Sequence, residues 1–203
     1  MKIITKKEFL SGIFDEFITK EINKGNVIIF PSESSYGLAA NATNKKVIKK
    51  IHLIKKESEN KPLGVITDKI SKIKKYINFG KNGEKLLTKT KKPLTILFEI
   101  KTKIPTSTNN FLGVRIPTNT ESVALCKLVD FPLTATSANL HGSPNIYSSK
   151  LIKETFNDTK FIFIDAGELK INPPSTYYNY KTKQIIRAGE IDITEILNIL
   201  GEK

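Results

Sequence analysis

The 203-residue chain carries 33 lysine and arginine residues against 20 aspartate and glutamate residues, a formal net charge of +13 at pH 7. Its 39% hydrophobic and 26% charged residues are typical of a folded globular protein and exclude a disordered chain. No stretch approaches the roughly 18 apolar residues of a membrane span, and Cys126 as the only cysteine excludes an intrachain disulfide or a cysteine metal cluster. With no signal-peptide core at the N-terminus, we expect a cytoplasmic protein without membrane contact.

Helical and strand patterns alternate along the first half of the chain. Thr5 followed by Glu8 is a capping-box pattern, and apolar residues at helical spacing then predict one helix that ends at Gly25. The elements that follow are a strand at 27–30 stopped by Pro31, a Ser-rich loop, a helix that Asn44 caps, a strand at 63–67, and a helix through Ile70, Ile73 and Ile77.

The second half continues in the same way and ends in a hairpin pattern. Its predicted elements are helices at 82–90, 121–129, 148–156 and 191–200, strands at 94–98, 113–116, 133–136 and 161–164, and a possible hairpin of 177–180 with 184–187. Interleaved strands and helices with a late hairpin indicate an α/β fold on a mixed sheet. No linker or repeat divides the chain, so residues 1–203 are expected to form a single domain.

The positive charge consists almost entirely of lysine, since Arg115 and Arg187 are the only arginines. This bias permits two interpretations, a solvated basic surface or a modest attraction to tRNA or polyphosphate. Guanidinium offers a planar fork that grips carboxylate or phosphate through two hydrogen bonds, whereas lysine is a point charge. The two arginines are therefore candidates for a ligand site, with chance or a structural ion pair as the alternative.

Polar segments lie where predicted strands begin or end. They are 31–38, 137–139 and 174–176, and Arg115 lies within another strand. Open α/β sheets bind ligands at strand ends, so these segments are expected to converge on one cleft. Hydroxyls and an amide beside two guanidinium groups suit a ligand with a carboxylate and phosphates.

Taken in order, these segments resemble the motifs of the YrdC-like family. The matching segments are Pro31-Ser32-Glu33-Ser34-Ser35-Tyr36-Gly37-Leu38, Pro93-Leu94-Thr95, Val114-Arg115-Ile116-Pro117, Pro132-Leu133 with Ser137-Ala138-Asn139 and Gly142, Pro174-Ser175-Thr176, and Arg187-Ala188-Gly189. Both arginines fall inside these motifs. The resemblance implies a YrdC-like twisted mixed β-sheet, flanked by helices around a basic concave cleft.

The resemblance also implies an activity. L-threonine, bicarbonate or CO2, and ATP as substrate would become threonylcarbamoyl-AMP and pyrophosphate, with Mg2+ as the expected counterion and no recognisable protein ligands for it. The product would serve the t6A37 modification of tRNA through downstream transferase proteins, with weak direct tRNA binding also possible.

Site residues are carried over by their positions in the motifs. Threonine would be held by Ser34, Tyr36, Arg115, Ser137 and Ser175. ATP would be contacted by Lys55, Lys61, Asn139 and Arg187, and the catalytic set would be Lys55, Arg115 and Arg187. For Tyr36, a buried ring with a satisfied hydroxyl is the alternative.

The resemblance fails at one position. Relatives usually carry Lys-x-Arg before Pro-Leu, and counting back from Pro62 places Lys55 at the lysine and Glu57 at the arginine. Three hypotheses follow: Lys56 or another nearby lysine supplies the missing charge, Glu57 binds Mg2+, or the site is degraded. Ser143 stands where relatives often carry arginine.

Neither histidine has a partner at metal-ligand spacing. His52 is expected at the surface or boundary of its helix, and His141 lies near the predicted cleft. Two rival functions remain beside the synthase: a non-catalytic basic RNA-binding module, and a degenerate homologue that only binds threonine or nucleotide.

Overall fold

The computed structural model describes residues 1–107, 110–157 and 161–201, and within them ten strands form one mixed sheet. The strands are β1 (Lys2–Thr5), β2 (Ile28–Pro31), β3 (Tyr36–Ala39), β4 (Gly64–Ile66), β5 (Leu94–Glu99), β6 (Phe111–Arg115), β7 (Leu133–Ser137), β8 (Ile162–Asp165), β9 (Thr176–Asn179) and β10 (Gln184–Arg187). Their order in the sheet is β1-β8-β2-β3-β7-β4-β6-β5-β9-β10.

Pairing within the sheet brings distant motifs together. Strands β1–β8, β2–β8, β4–β6 and β5–β9 are parallel, and the remaining neighbours are antiparallel. In the middle of the sheet, Gly37 pairs with Ser137 and Gly64 pairs with Ala135. This register sets the loop before β3 and the start of β4 on either side of the end of β7. The predicted α/β fold with a mixed sheet is confirmed.

In the described part of the chain, seven α-helices cover the sheet: α1 (Lys6–Leu10), α2 (Asp15–Asn23), α3 (Lys45–Lys55), α4 (Gly80–Lys89), α5 (Thr120–Lys127), α6 (Ser149–Thr155) and α7 (Ile193–Leu200). Three clusters of buried apolar side chains fill the space between the helices and the sheet. The predicted Asn44 cap is present, since its side chain accepts hydrogen bonds from the first turn of α3. No helix of the described ranges is long and apolar enough to cross a membrane.

The prediction of one helix from Thr5 to Gly25 is wrong, although its capping box is present. Thr5 and Glu8 cap each other as expected, but α1 ends at Leu10 and α2 begins at Asp15. Gly12 lies between them with φ of +81°, in the left-handed region that breaks a right-handed helix. Periodicity alone missed the break because apolar residues keep helical spacing across it.

Other elements differ from the sequence prediction. Strands β1 and β3 were not predicted, and the expected helix through Ile70 and Ile77 is a single 3-10 turn at Ile70–Lys72. Pro31 does not stop β2 but is its last residue, paired with Tyr36 of β3. Strand β8 pairs only with Ile28 and Ile29, so the backbone N–H that proline lacks is not needed for pairing at this position.

Candidate active site

A cavity of about 260 Å3 lies over the middle of the sheet. Its polar and charged lining comes from segments far apart in sequence: Ser32, Ser34, Ser35, Lys61, Thr95, Arg115, Thr136, Ser137, Asn145, Ser175, Tyr177 and Arg187. Gly37 and Gly64 also line the cavity. A larger residue at Gly37 would contact the Phe30 ring, and one at Gly64 would contact the Tyr177 hydroxyl. Of the predicted site residues, six line this cavity: Ser34, Lys61, Arg115, Ser137, Ser175 and Arg187.

Arg115 is held from behind by a carboxylate. Its Nη1 lies 2.8 Å from Glu33 Oε2, and both side chains are more than nine-tenths buried. Glu33 Oε1 accepts a hydrogen bond from the Thr118 backbone N–H at 2.7 Å. The guanidinium is thereby fixed at the end of β6, with nitrogen atoms left for a ligand carboxylate.

Arg187 and Ser175 form a second fixed unit at the other wall. Arg187 Nη2 donates to the Ser175 carbonyl at 2.7 Å and to its Oγ at 3.0 Å, while the guanidinium stacks 4.4 Å from the Tyr177 ring centre. Ser175 Oγ also lies 2.9 Å from Thr95 Oγ1. Gly189 permits this approach, because a Cβ there would lie 2.2 Å from the Pro174 carbonyl oxygen.

Lys55 and Asn139 support the cavity wall and do not line the cavity. The buried Lys55 ammonium donates to the carbonyls of Ser137 and Asn139 at 2.6 and 2.9 Å, and to Asn139 Oδ1 at 3.0 Å. Ser137 Oγ donates to the same Oδ1 at 2.6 Å, which leaves the hydroxyl oxygen as an acceptor. Burial lowers the pKa of Lys55 to about 8, against the opposing charge of Glu57.

Tyr36 also lies outside the cavity lining. It is a buried ring with a satisfied hydroxyl, which is the alternative that the sequence left open. Its ring is fully buried against Phe163, and its hydroxyl donates to the Gly167 carbonyl at 2.9 Å and accepts from the Ala166 N–H at 3.0 Å. Burial raises the pKa of this hydroxyl to about 12. The ring holds the loop after β8 against β3.

Glu57 does not line the cavity, and His52 lies where the sequence did not predict it. The Glu57 side chain is 1% exposed, with Oε2 2.9 Å from Lys61 Nζ and Oε1 3.3 Å from His52 Nδ1. His52 is itself buried, so its predicted position at the helix surface is wrong. Among the three hypotheses for Glu57, this geometry favours a nearby lysine as the source of the cation, since the lysine that Glu57 contacts, Lys61, lines the cavity. Lys56 is exposed at the end of α3.

Sequence reasoning assigned no role to Glu33 or to six of the polar lining residues, which are Ser32, Ser35, Thr95, Thr136, Asn145 and Tyr177. Thr95 and Glu33 stand inside recognised motifs, so a signal existed for them, and Tyr177 directly follows the Pro-Ser-Thr segment. Asn145 lies in a loop with no motif, and only the fold brings it to the cavity.

A resident metal does not fit the residues that the structure describes. None of the side chains lining the cavity is a carboxylate, and no group of three or more His, Cys, Asp or Glu could hold an ion anywhere in the described ranges. Glu33 and Glu57, the nearby acids, are paired with Arg115 and Lys61. The cavity is therefore a cationic site made of one lysine and two arginines.

Comparison with known proteins yields one family and several relatives of the same name. The family model for Sua5, YciO and YrdC, described as "Telomere recombination", matches residues 20–189. A Methanocaldococcus jannaschii protein, named as a candidate threonylcarbamoyl-AMP synthase, is 34% identical over 89% of this chain and 88% of its own length. The threonylcarbamoyl-AMP synthase of Haemophilus influenzae strain Rd is 24% identical over 86% of this chain and 98% of its own length.

Solved structures share the fold. A Sua5 variant of P. abyssi superposes with a TM-score of 0.88 at 26% identity over the whole of this chain, which spans 61% of that protein. A Sua5 structure from the same source contains L-threonine and gives a TM-score of 0.84 at 24% identity. YciO of E. coli gives 0.78 at 20% identity, with 97% of this chain and 98% of that one covered.

Proposed function

Because this chain belongs to the Sua5/YciO/YrdC family, we propose that it is an L-threonylcarbamoyladenylate synthase. It would convert L-threonine, bicarbonate or CO2, and ATP into threonylcarbamoyl-AMP and pyrophosphate, as a nucleotidyltransferase. Relatives over most of its length carry the name threonylcarbamoyl-AMP synthase, which supports this activity above the two rival functions.

One observation carries the proposal: three hydroxyls and three cations from six separate segments surround a single cavity. They are Ser34, Ser137 and Ser175, with Lys61, Arg115 and Arg187. A surface that only attracts nucleic acid would need the positive charge but not the hydroxyls. An amino acid bound beside a polyphosphate needs both.

Threonine would occupy the part of the cavity near Arg115. The guanidinium, held by Glu33, would bind its carboxylate. Ser137 Oγ, with its proton donated to Asn139, would accept a hydrogen bond from the threonine amine or hydroxyl. The amine nitrogen would then add to the carbon of CO2 and lose a proton, forming a carbamate.

The carbamate oxygen would next attack the α-phosphorus of ATP and displace pyrophosphate. This step needs alignment and charge neutralisation more than covalent help from the protein. Lys61 and Arg187 would contact the phosphates, with Arg187 held rigid by Ser175 and Tyr177. Lys55 and Asn139 would affect ATP binding indirectly, because they hold the cavity wall in place.

Mg2+ would enter as part of the ATP substrate. It commonly binds proteins through one or two carboxylates together with substrate phosphates, and the described lining offers no carboxylate. We further propose that residues 1–203 act as a single domain and that separate transferase proteins move the threonylcarbamoyl group to adenosine 37 of tRNA.

The test is pyrophosphate release from ATP, Mg2+ and bicarbonate with and without L-threonine, together with mass detection of the adenylate. We expect release that depends on threonine and that falls at least tenfold in Arg115→Ala. Threonine-independent or absent release would overturn the proposal. Tight, salt-sensitive tRNA binding without turnover would favour the RNA-binding module instead.

A further inference from the structure

A buried acid lies directly behind the lysine at the cavity wall. The Glu57 side chain is 1% exposed, and its Oε2 lies 2.9 Å from the Nζ of Lys61, whose side chain is 47% exposed. Behind Glu57, His52 Nδ1 lies 3.3 Å from Oε1 and is also buried. Burying a carboxylate costs free energy unless cations and hydrogen-bond donors surround it. A buried Glu57 next to the cavity is therefore a candidate for a functional role.

Lys61 is held at two points. Besides Glu57, its ammonium lies 3.4 Å from His141 Nδ1, and His141 belongs to the loop that follows Ser137 and Asn139. The His141 backbone N–H in turn donates to the Lys55 carbonyl at 2.7 Å. An ammonium has three N–H donors: one is engaged by Glu57, a second by His141 in the tautomer whose Nδ1 accepts, and one is left for the cavity.

We infer that Glu57 is a positioning residue for the nucleotide: with His52 behind it, its carboxylate fixes the Lys61 ammonium where that ammonium meets the phosphates of ATP. A free lysine side chain loses about 2 kcal/mol of rotamer entropy when it is fixed, and pre-organisation spares part of that loss on binding. This inference rests on the proposed function for the choice of ligand.

Net charge alone predicts the opposite effect of Glu57 on ATP binding. A carboxylate beside an ammonium weakens the attraction of the pair for phosphate, so electrostatics alone predict that removing Glu57 would tighten ATP binding. Positioning predicts that removing it would weaken ATP binding, and only while Lys61 is present. The net-charge and positioning explanations therefore predict opposite changes in the Kd of ATP when Glu57 is removed.

A double-mutant cycle on ATP affinity separates them. The Kd of Mg–ATP is measured by calorimetry for the wild type, Glu57→Gln, Lys61→Met and the double variant, with melting temperatures as a check on folding. Glu59→Gln is the matched control, since Glu59 is an exposed acid two residues away that pairs with the exposed Lys49. His141→Ala is a second variant at a side chain that is 57% exposed, which removes the other contact of Lys61.

We expect Glu57→Gln and Lys61→Met each to raise the Kd of ATP by about five- to tenfold, and the double variant to show no further loss, which corresponds to the coupling expected of residues in contact. His141→Ala is expected to raise it by about two- to threefold in the wild type and not in Lys61→Met. Glu59→Gln is expected to leave it unchanged or slightly lower.

Tighter ATP binding in Glu57→Gln, or an equal loss with and without Lys61, would overturn the inference. Should Glu57→Gln fail to fold, the His141→Ala comparison decides between positioning and net charge. A wild type that turns over threonine and ATP but shows no coupling overturns this inference alone. A wild type that shows the coupling without threonine-dependent turnover overturns the proposed function alone, and one that binds no ATP overturns both.

Discussion

Lys55 and Asn139 are 84 residues apart, and the Lys55 ammonium donates to both the side-chain and the backbone oxygen of Asn139, at 3.0 and 2.9 Å. The same ammonium donates to the Ser137 carbonyl at 2.6 Å. One buried lysine at the end of α3 thus fixes the turn that carries Ser137 into the cavity.

The first prediction concerns the pH dependence of stability. Burial lowers the pKa of Lys55 from 10.5 to about 8 in the folded protein. Between these values the unfolded chain binds more protons than the folded one, so the contribution of Lys55 to the free energy of unfolding rises as pH rises from 8 to 10.5. The free energy of unfolding of the wild type and of Lys55→Met is measured by denaturation over this range. The value for the wild type minus the value for Lys55→Met should rise with pH.

Lys50→Met is the control for that series, since Lys50 is an exposed lysine on the same helix. A wild-type advantage over Lys55→Met that stays constant or shrinks across this pH range would contradict the prediction.

The second prediction concerns the Arg115–Glu33 pair. Both side chains are more than nine-tenths buried, and removing one partner leaves the other charge uncompensated. Glu33→Ala is therefore expected to lower the free energy of unfolding by about 3–5 kcal/mol, measured by urea denaturation. The matched control is Glu154→Ala, whose exposed pair with Lys150 is expected to contribute less than about 1 kcal/mol. Equal losses in the two variants would show that the Arg115 pair is no stronger than a surface pair.

The third prediction concerns the close approach at Gly189. A Cβ there would lie 2.2 Å from the Pro174 oxygen and 2.5 Å from the Thr176 nitrogen, so Gly189→Ala must force the two segments apart. We expect a loss of stability of more than about 2 kcal/mol, and a weaker Kd for ATP as Arg187 leaves Ser175. Gly201→Ala, with φ of +77° and only the flexible Lys85 ammonium at an ordinary contact distance of 3.8 Å, should cost only about 1–2 kcal/mol and leave the ATP Kd unchanged. Unchanged ATP binding in Gly189→Ala would mean that the Arg187–Ser175 contact does not depend on Gly189.

The fourth prediction separates the two roles of Tyr36. Its hydroxyl makes two hydrogen bonds to the loop after β8, and the residue does not line the cavity. Tyr36→Phe is expected to cost about 1–3 kcal/mol of stability, because two part-buried hydrogen bonds to backbone groups are lost. Its Kd for L-threonine should change less than that of Ser34→Ala, a residue of the cavity lining. A Tyr36→Phe variant of normal stability that binds threonine poorly would instead place the ring in the threonine site.

Sequence patterns placed an element well where several local signals agreed. The helix begun by Asn44 is present because a cap and a wide apolar face agree on its position. The break at Gly12 was missed because apolar residues keep helical spacing across it, and strands β1 and β3 were missed because strand pairing is not local. His52 was mistaken for a surface residue because a single histidine in a lysine-rich helix gives no sign of its neighbours.

For the site, the motifs determined which residues matter, and the sequence alone indicated hydroxyls, two guanidinium groups and a reversed charge at Glu57. Tertiary structure decided what each of them does. It brought Arg115 to Glu33 and Lys55 to Asn139, contacts between distant segments that no spacing encodes, and it buried Glu57 against Lys61, four residues further on. The physical reason is that burial and charge pairing depend on which strands become neighbours in the sheet. A carboxylate that the sequence presents as a repulsive charge beside phosphate is, in the fold, buried behind the lysine that faces the cavity.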